Sequence, residues 1–147
     1  MTEKTTTVQI IMPQHCTGYK KPRLFGGQMM AWIDVIGAVA ARRYTGKAVT
    51  TVSIDNLTFL KPAYLNDTMV QEAMVTWTGR TSLEVRVDSM VERLDGTREL
   101  INRAYAVFVA LDDEDRPVQV PAFIPETIEE KQEYAAAEER RRIRLQR

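Results

Sequence analysis

The chain has one cysteine and one histidine among its 147 residues, and that scarcity removes several kinds of chemistry at once. Cys16 has no partner for an internal disulfide, which suits a reducing compartment. A zinc site would need several carboxylates to join His15 and Cys16, so no metal cofactor is expected. The two are sequence neighbours, and neighbours in an extended chain point to opposite sides, which argues against a Cys–His nucleophile pair. Charge of one sign is also lacking. Lys plus Arg and Asp plus Glu stand at 20 each, so no net field recruits nucleic acid or an anionic membrane. The apolar run from Met29 to Ala41 is shorter than the roughly 20 residues that span a bilayer, and it carries an acid near its centre. The Thr-rich start lacks the apolar core of a secretory signal. A soluble, cytoplasmic protein is expected. No glycine fingerprint stands between a strand and a helix, which sets aside a dinucleotide fold.

What the chain does have is one stretch, Leu24 to Arg43, around which the rest is organised. Between Gly26 and Ala41 the only ionisable side chain is Asp34, set among Ala, Met, Trp, Ile and Val. A helix there is apolar around its whole circumference and is expected to be buried on all sides. Gly26 and Gly27 at its start open backbone N–H groups to close approach at the positive end of the helix dipole, where anionic or polarised oxygen is the natural guest. Asp34 allows two readings. It is either a carboxylate held for structure by hydrogen bonds or a catalytic group, since buried acids concentrate at functional sites. Gly26 and Asp34 lie about 12 Å apart along one helix at roughly 1.5 Å per residue. Both cannot reach one carbonyl carbon from the same helix. If they act together, the glycines of one subunit face the aspartate of another.

Around this helix the pattern is mostly strand. Lys4 to Met12 is β-branched and stops at Pro13, and Gln14 to Arg23 reads as a loop. Gly46 suits a left-handed helix cap. Ala48 to Leu60 reads as a strand whose apolar phase slips at Asp55-Asn56, which means either a bulge there or a strand buried on both faces. Thr68 to Thr78 and Ser82 to Glu92 flank a turn at Gly79-Arg80. In the second of these, Leu83, Val85, Val87 and Val91 alternate with Glu84, Arg86, Asp88 and Glu92, one dry face against one wet face. Asp95-Gly96 signals a hairpin into Arg98 to Leu111. The order predicts an α+β fold, a five-stranded antiparallel sheet wrapped around one long helix. The helix and the sheet edges need further cover, so a dimer at least is expected.

Beyond the sheet, Pro117, Pro121 and Pro125 mark an extended segment. Thr127 to Arg147 is a charged helix with Glu126, Glu129 and Glu130 early and Arg140, Arg141, Arg142, Arg144 and Arg147 late, a polarity that complements the helix dipole. The Arg run is expected to be a solvated helix end or a contact to a neighbouring subunit. Residues 1–124 are taken as the domain and 125–147 as an appended charged helix.

Three motifs in order, Leu24-Phe25-Gly26-Gly27-Gln28-Met29-Met30-Ala31-Trp32-Ile33-Asp34, then Thr58-Phe59-Leu60-Lys61-Pro62, then Gly79-Arg80-Thr81-Ser82, resemble the hotdog-fold acyl-CoA thioesterases of the cytosolic acyl-CoA hydrolase branch. The resemblance runs from roughly Thr5 to Pro121 and includes the Glu/Arg-rich tail. It implies that two units pair edge to edge into a continuous sheet and that the dimers assemble as trimers. It places the catalytic acid on Asp34, the oxyanion-binding amides on the Phe25-Gly26-Gly27 turn, and coenzyme A contacts around Gly79, Arg80, Thr81 and Ser82. Phe25, Thr58 and Lys61 fall among the substrate contacts, and coenzyme A is part of substrate and product rather than a separate cofactor. One departure stands out. Many relatives carry an Asn and then a Gly in the loop before the Phe-Gly-Gly turn, where this chain has Thr17-Gly18-Tyr19-Lys20-Lys21-Pro22-Arg23.

Thioester hydrolysis suits these residues. The carbonyl gathers negative charge on oxygen when attacked, and one fixed N–H donor aimed there contributes roughly 2.7–4 kcal/mol in a well-studied case. Asp34 would deprotonate water or attack the carbonyl itself. For the coenzyme A phosphates, Arg80 leads, with Lys61 and Arg42 or Arg43 behind it. Two competitors use the same fold. A non-catalytic acyl-CoA sensor usually carries a DNA-binding helical module, which the short N-terminus and single tail helix do not supply. A dehydratase prefers a His placed with the acid, and His15 lies outside the helix.

Overall fold

The computed structural model describes residues 3–146. In chain order its elements are β1 (Thr5–Ile10), β2 (Cys16–Thr17), β3 (Arg23–Leu24), α1 (Gly26–Thr45), β4 (Ala48–Asp55), β5 (Thr68–Thr78), β6 (Ser82–Glu92), β7 (Arg98–Leu111) and α2 (Ile128–Leu145). Five antiparallel strands form one sheet in the order β1-β5-β6-β7-β4, with α1 against its inner face. This is the expected α+β layout, and β1 and β4 are its two edges.

The helix α1 is not buried on all sides. Its buried positions, Met29, Ile33, Ile36, Gly37, Ala40 and Ala41, recur at intervals of three and four and so make one stripe. At Gly37 an added Cβ would come within 3.0 Å of the Phe108 ring, so the helix rests directly on β7. The opposite flank stays open, with Phe25 55% exposed, Met30 44% and Val35 62%. One sheet can cover only one side of a cylinder. The apolar residues on the other side are the surface that a partner would have to bury. At its far end α1 closes as expected on Gly46, whose φ of 66° is left-handed and whose N–H donates to the Arg42 carbonyl at 2.8 Å.

Strand β4 ends at Asp55, short of the expected Leu60, and Asn56 turns the chain with a φ of 67°. The cause comes from β7. Buried Asn102 donates through its Nδ2 to the carbonyls of Asn56 at 3.0 Å and Thr58 at 2.8 Å, so a side chain takes the acceptors that a ladder would have used. Neither expectation for this strand holds, since the chain leaves the sheet at Asp55-Asn56 instead of bulging there and β4 is not buried on both faces; its one register shift lies earlier. Thr51 pairs with Phe108 and Ser53 with Val107, leaving Val52 as the extra residue. The segment expected to be a loop before α1 holds a short 3-10 turn, Pro13–His15, and the β2–β3 ribbon. His15 shapes this entry: its Nδ1 accepts the Met12 N–H at 3.0 Å and its carbonyl accepts the Phe25 N–H at 2.9 Å.

The polar face of β6 is not wet. Helix α2 starts from a capping box, Thr127 Oγ1 accepting the Glu130 N–H at 3.1 Å and Glu130 Oε1 accepting the Thr127 N–H at 3.2 Å. It then lies across the outer face of the sheet. Arg140 grips Glu84, which is 1% exposed, with both arms of its guanidinium at 2.8 and 2.9 Å, while Thr76 donates to the same carboxylate at 2.6 Å. One turn later Arg144 reaches Asp55 at 3.4 Å. The Arg run is therefore divided: Arg141 and Arg142 are exposed, as expected of a solvated end, while Arg140 and Arg144, four apart, face their own sheet. Arg147 lies outside the described residues.

Candidate active site

The sequence-derived site residues fall at three places along α1, whose 20 residues span about 30 Å. At its N-terminal end sits the Phe25-Gly26-Gly27 turn. No side chain caps this helix, so the Gly26 and Gly27 N–H groups find no acceptor among the described residues. A Cβ on Gly26 would meet nothing within 4 Å, so its α-carbon side is open, whereas the Phe25 ring lies over Gly27. The Thr58–Lys61 motif comes to the same end. Leu60 N–H donates to the Ile101 carbonyl at 2.8 Å, and the neighbouring Ala63 carbonyl accepts the Leu24 N–H at 2.8 Å. Lys61 is paired with Glu99 at 2.9 Å, and Arg93 reaches the same carboxylate at 3.1 Å. Hydrogen bonds from Lys61 and then Arg93 hold the Glu99 carboxyl below its usual titration range.

Midway along the helix is Asp34. It is half-buried, and its Oδ1 accepts a hydrogen bond from Thr51 Oγ1 at 2.6 Å, its one hydrogen bond among the described residues. Met30 and Val35 flank it on the helix, and Val52, 57% exposed, follows Thr51 on the edge strand β4. The bulge at Val52 sits beside Thr51 and breaks the alternation that would otherwise set where β4 side chains point. Thr51 is the residue that sequence reasoning missed. It had no advance sign of its own, because the phase slip read in this strand lay at Asp55-Asn56, away from the register shift beside Thr51.

The third group is at the other end. Gly79 N–H donates to the Ser82 carbonyl at 2.8 Å, closing the β5–β6 turn, and the Thr81 carbonyl accepts the Ala110 N–H at 3.0 Å near the end of β7. Since Ala110 pairs with Val49 just after α1 ends, Gly79, Arg80, Thr81 and Ser82 lie toward the C-terminal end of α1. Within one protomer the glycine amides, Asp34 and Arg80 therefore do not converge. Among the described residues no group of three or more His, Cys, Asp or Glu side chains is placed to hold a metal ion, and no helix is long and apolar enough to cross a membrane.

The sequence and the fold have known counterparts. Residues 22–94 match the model of the thioesterase superfamily. An uncharacterised acyl-CoA thioester hydrolase of Bacillus subtilis is 44% identical over 108 residues, which are 73% of this chain and 63% of that one. The mouse acyl-coenzyme A thioesterase 11 is 32% identical over 99% of this chain, and the match spans only 25% of its length. Among solved structures, an acyl-CoA hydrolase from Staphylococcus aureus in complex with butyryl coenzyme A, coenzyme A and coenzyme A disulfide superposes with a TM-score of 0.84 at 36% identity, covering 97% of this chain and 88% of that one. An apo-hexameric acyl-CoA thioesterase reaches 0.86 at 33% identity, covering 97% and 91%. By sequence and by fold, the chain belongs to the thioesterase superfamily, among its hotdog-fold acyl-CoA thioesterases.

Proposed function

We propose that this protein hydrolyses acyl-CoA thioesters to a carboxylic acid and coenzyme A, with Asp34 of one protomer working opposite the Gly26 and Gly27 amides of another. One observation carries the proposal. A lone carboxylate, oriented by one hydroxyl, lies in uncovered apolar surface beside a sheet edge, while the free amides of its own helix start about 12 Å away by helical rise. A second copy packed on that surface would exclude water from Asp34 and bring a Phe25-Gly26-Gly27 turn to it. The hexameric assembly of a structural neighbour supports an oligomer, and the coenzyme A complexes of the Staphylococcus hydrolase support the substrate class. Forms of that hydrolase with an Asp or a Thr replaced by Ala have been solved, and the two positions lie 17 residues apart, the interval between Asp34 and Thr51.

In the proposed step the thioester oxygen sits on the Gly26 and Gly27 N–H groups. Water adds to the carbonyl carbon as Asp34 takes its proton, and the oxyanion is held by the amides until the C–S bond breaks. The proton on Asp34 then goes to the departing sulfur. Direct attack by an Asp34 oxygen would instead break the C–S bond, expel the coenzyme A thiolate and form a mixed anhydride, and label from water found on Asp34 after a single turnover would mark that route, through hydrolysis at the Asp34 carbonyl. Neither route needs a metal. Thr51 keeps one carboxylate oxygen occupied and so points the other. Arg80, exposed in its turn, is the proposed phosphate contact.

The test is release of free thiol from a panel of acyl-CoA esters by wild type and Asp34→Asn. Turnover that drops at least a hundredfold in the variant is expected. Full rate in Asp34→Asn would remove Asp34 from the chemistry, and binding of acyl-CoA without turnover by wild type would make the protein an acyl-CoA sensor.

A further inference from the structure

We infer that the space between the first turn of α1 and the segment from Phe59 to Ala63 receives the acyl group, and that it restricts the protein to acyl chains of about eight carbons or fewer. The inference rests on the thioester chemistry proposed above and adds the substrate class. A cavity of about 260 Å³ is lined there by Leu24, Met29, Phe59, Leu60, Ala63 and Ile101. Leu24 and Met29 stand on either side of the Phe25-Gly26-Gly27 turn, so the cavity opens next to the free amides. A carbonyl oxygen bound by those amides leaves its acyl carbons at the cavity mouth.

The walls decide what fits. They are aliphatic or aromatic, and two of them, Met29 and Ile101, are 0% and 1% exposed. They are also held in place: Leu60 is tied through its N–H to the Ile101 carbonyl, and Ala63 through its carbonyl to the Leu24 N–H, both at 2.8 Å. Main-chain bonds on two sides make the volume a property of the fold rather than of a loose loop. At about 30 Å³ for each water-sized group, 260 Å³ holds roughly eight or nine such groups. Two cations, Arg23 and Lys61, also belong to the lining, but the Lys61 ammonium is engaged by Glu99 and the Arg23 guanidinium stands over the Tyr64 ring, 5.8 Å from its centroid. The lining therefore favours a plain hydrocarbon tail over one ending in a carboxylate.

The experiment measures kcat/KM by thiol release on CoA esters of two, four, six, eight, twelve and sixteen carbons, plus a dicarboxylic four-carbon ester, for wild type, Ala63→Leu and Phe59→Ala. Wild type is expected to rise to eight carbons and to fall at least tenfold by twelve. Ala63→Leu fills the cavity and should lower the eight-carbon to two-carbon ratio at least tenfold. Phe59→Ala, at a site 37% exposed and so tolerant of truncation, should move the cut-off toward twelve. Twelve- and sixteen-carbon esters turned over as fast as eight, a preference for the dicarboxylic ester, or one unchanged profile in all three proteins would each overturn the inference. If no ester is hydrolysed, the hydrolase proposal fails on its own. The length limit is then read from acyl-CoA binding by calorimetry, where the same cut-off is expected and its absence refutes it.

Discussion

The two faces of the sheet treat carboxylates in opposite ways. On the outer face, under α2, acids and bases pair with one another. Glu84 takes Arg140 and Thr76, and Asp88 takes Arg86 at 2.8 Å and Arg103 at 2.8 Å. Glu133 takes Tyr105 at 3.2 Å, and the Arg140 guanidinium lies 3.6 Å over the Tyr105 ring. On the flank of α1, Asp34 has one hydroxyl and no cation among the described residues. Glu84, at 1% exposure, is the more buried acid, yet its oxygens are fully occupied and have nothing left to offer a substrate. Burial alone does not mark the reactive acid. The distinguishing feature is a carboxylate with an unoccupied oxygen next to surface that another molecule can cover.

That contrast can be broken first at its reactive side. Asp34→Asn should lower kcat by about 10²–10⁴-fold, the range typical of a lost general base, while thermal unfolding shifts little. A large loss of stability with retained activity would reverse the roles assigned to the two faces. Glu84→Gln is the mirror experiment. It leaves the Arg140 charge without its counter-ion and should destabilise the fold by about 3 kcal/mol in urea unfolding, with kcat per folded molecule kept. Next in size, Thr51→Val removes the donor to Asp34 and should cost about tenfold in kcat. Combined with Asp34→Asn it should cost nothing further, because both changes disable one unit; full additivity would mean that Thr51 acts elsewhere.

The smallest effect concerns acid. Burial alone would raise the Asp88 carboxyl, but hydrogen bonds from Arg86 and then Arg103 outweigh it and hold the group below its ordinary value of 3.8. A carboxyl lowered in the folded state contributes stability above its unfolded value and loses it as pH falls through the folded one. Unfolding free energy should therefore drop as pH is lowered below about 4. In Asp88→Asn the same acid limb should be shallower, as read by denaturant titration at a series of pH values. Equal slopes in the two proteins would show that this cluster does not couple to protons.

Much of this molecule was legible from local pattern. Strands β5, β6 and β7 begin and end where alternation and turn residues said, because the hairpin at Asp95-Gly96 and the turn at Gly79 are short-range devices. Helix α1 stops at Gly46 for the same reason. The end of β4 was not legible, since it depends on an Asn102 side chain arriving from 46 residues away. Nor was the cover on β6: Glu84 and Asp88 alternate with valines in the same way whether their neighbours are water molecules or the arginines of α2. At the candidate site, Gly26, Gly27 and Asp34 stood out as isolated chemistry in an apolar run. Thr51 did not, because nothing local distinguishes it from Thr50.

The sequence by itself determined that one long helix would begin on two glycines, carry a single acid and be followed by paired strands, because propensity, capping and periodicity act over a few residues. Only the tertiary structure decided which acids are neutralised and which is left reactive, and which flank of α1 stays uncovered. Those outcomes depend on groups distant in sequence meeting within a few ångströms, where hydrogen bonds and ion pairs form or fail to form.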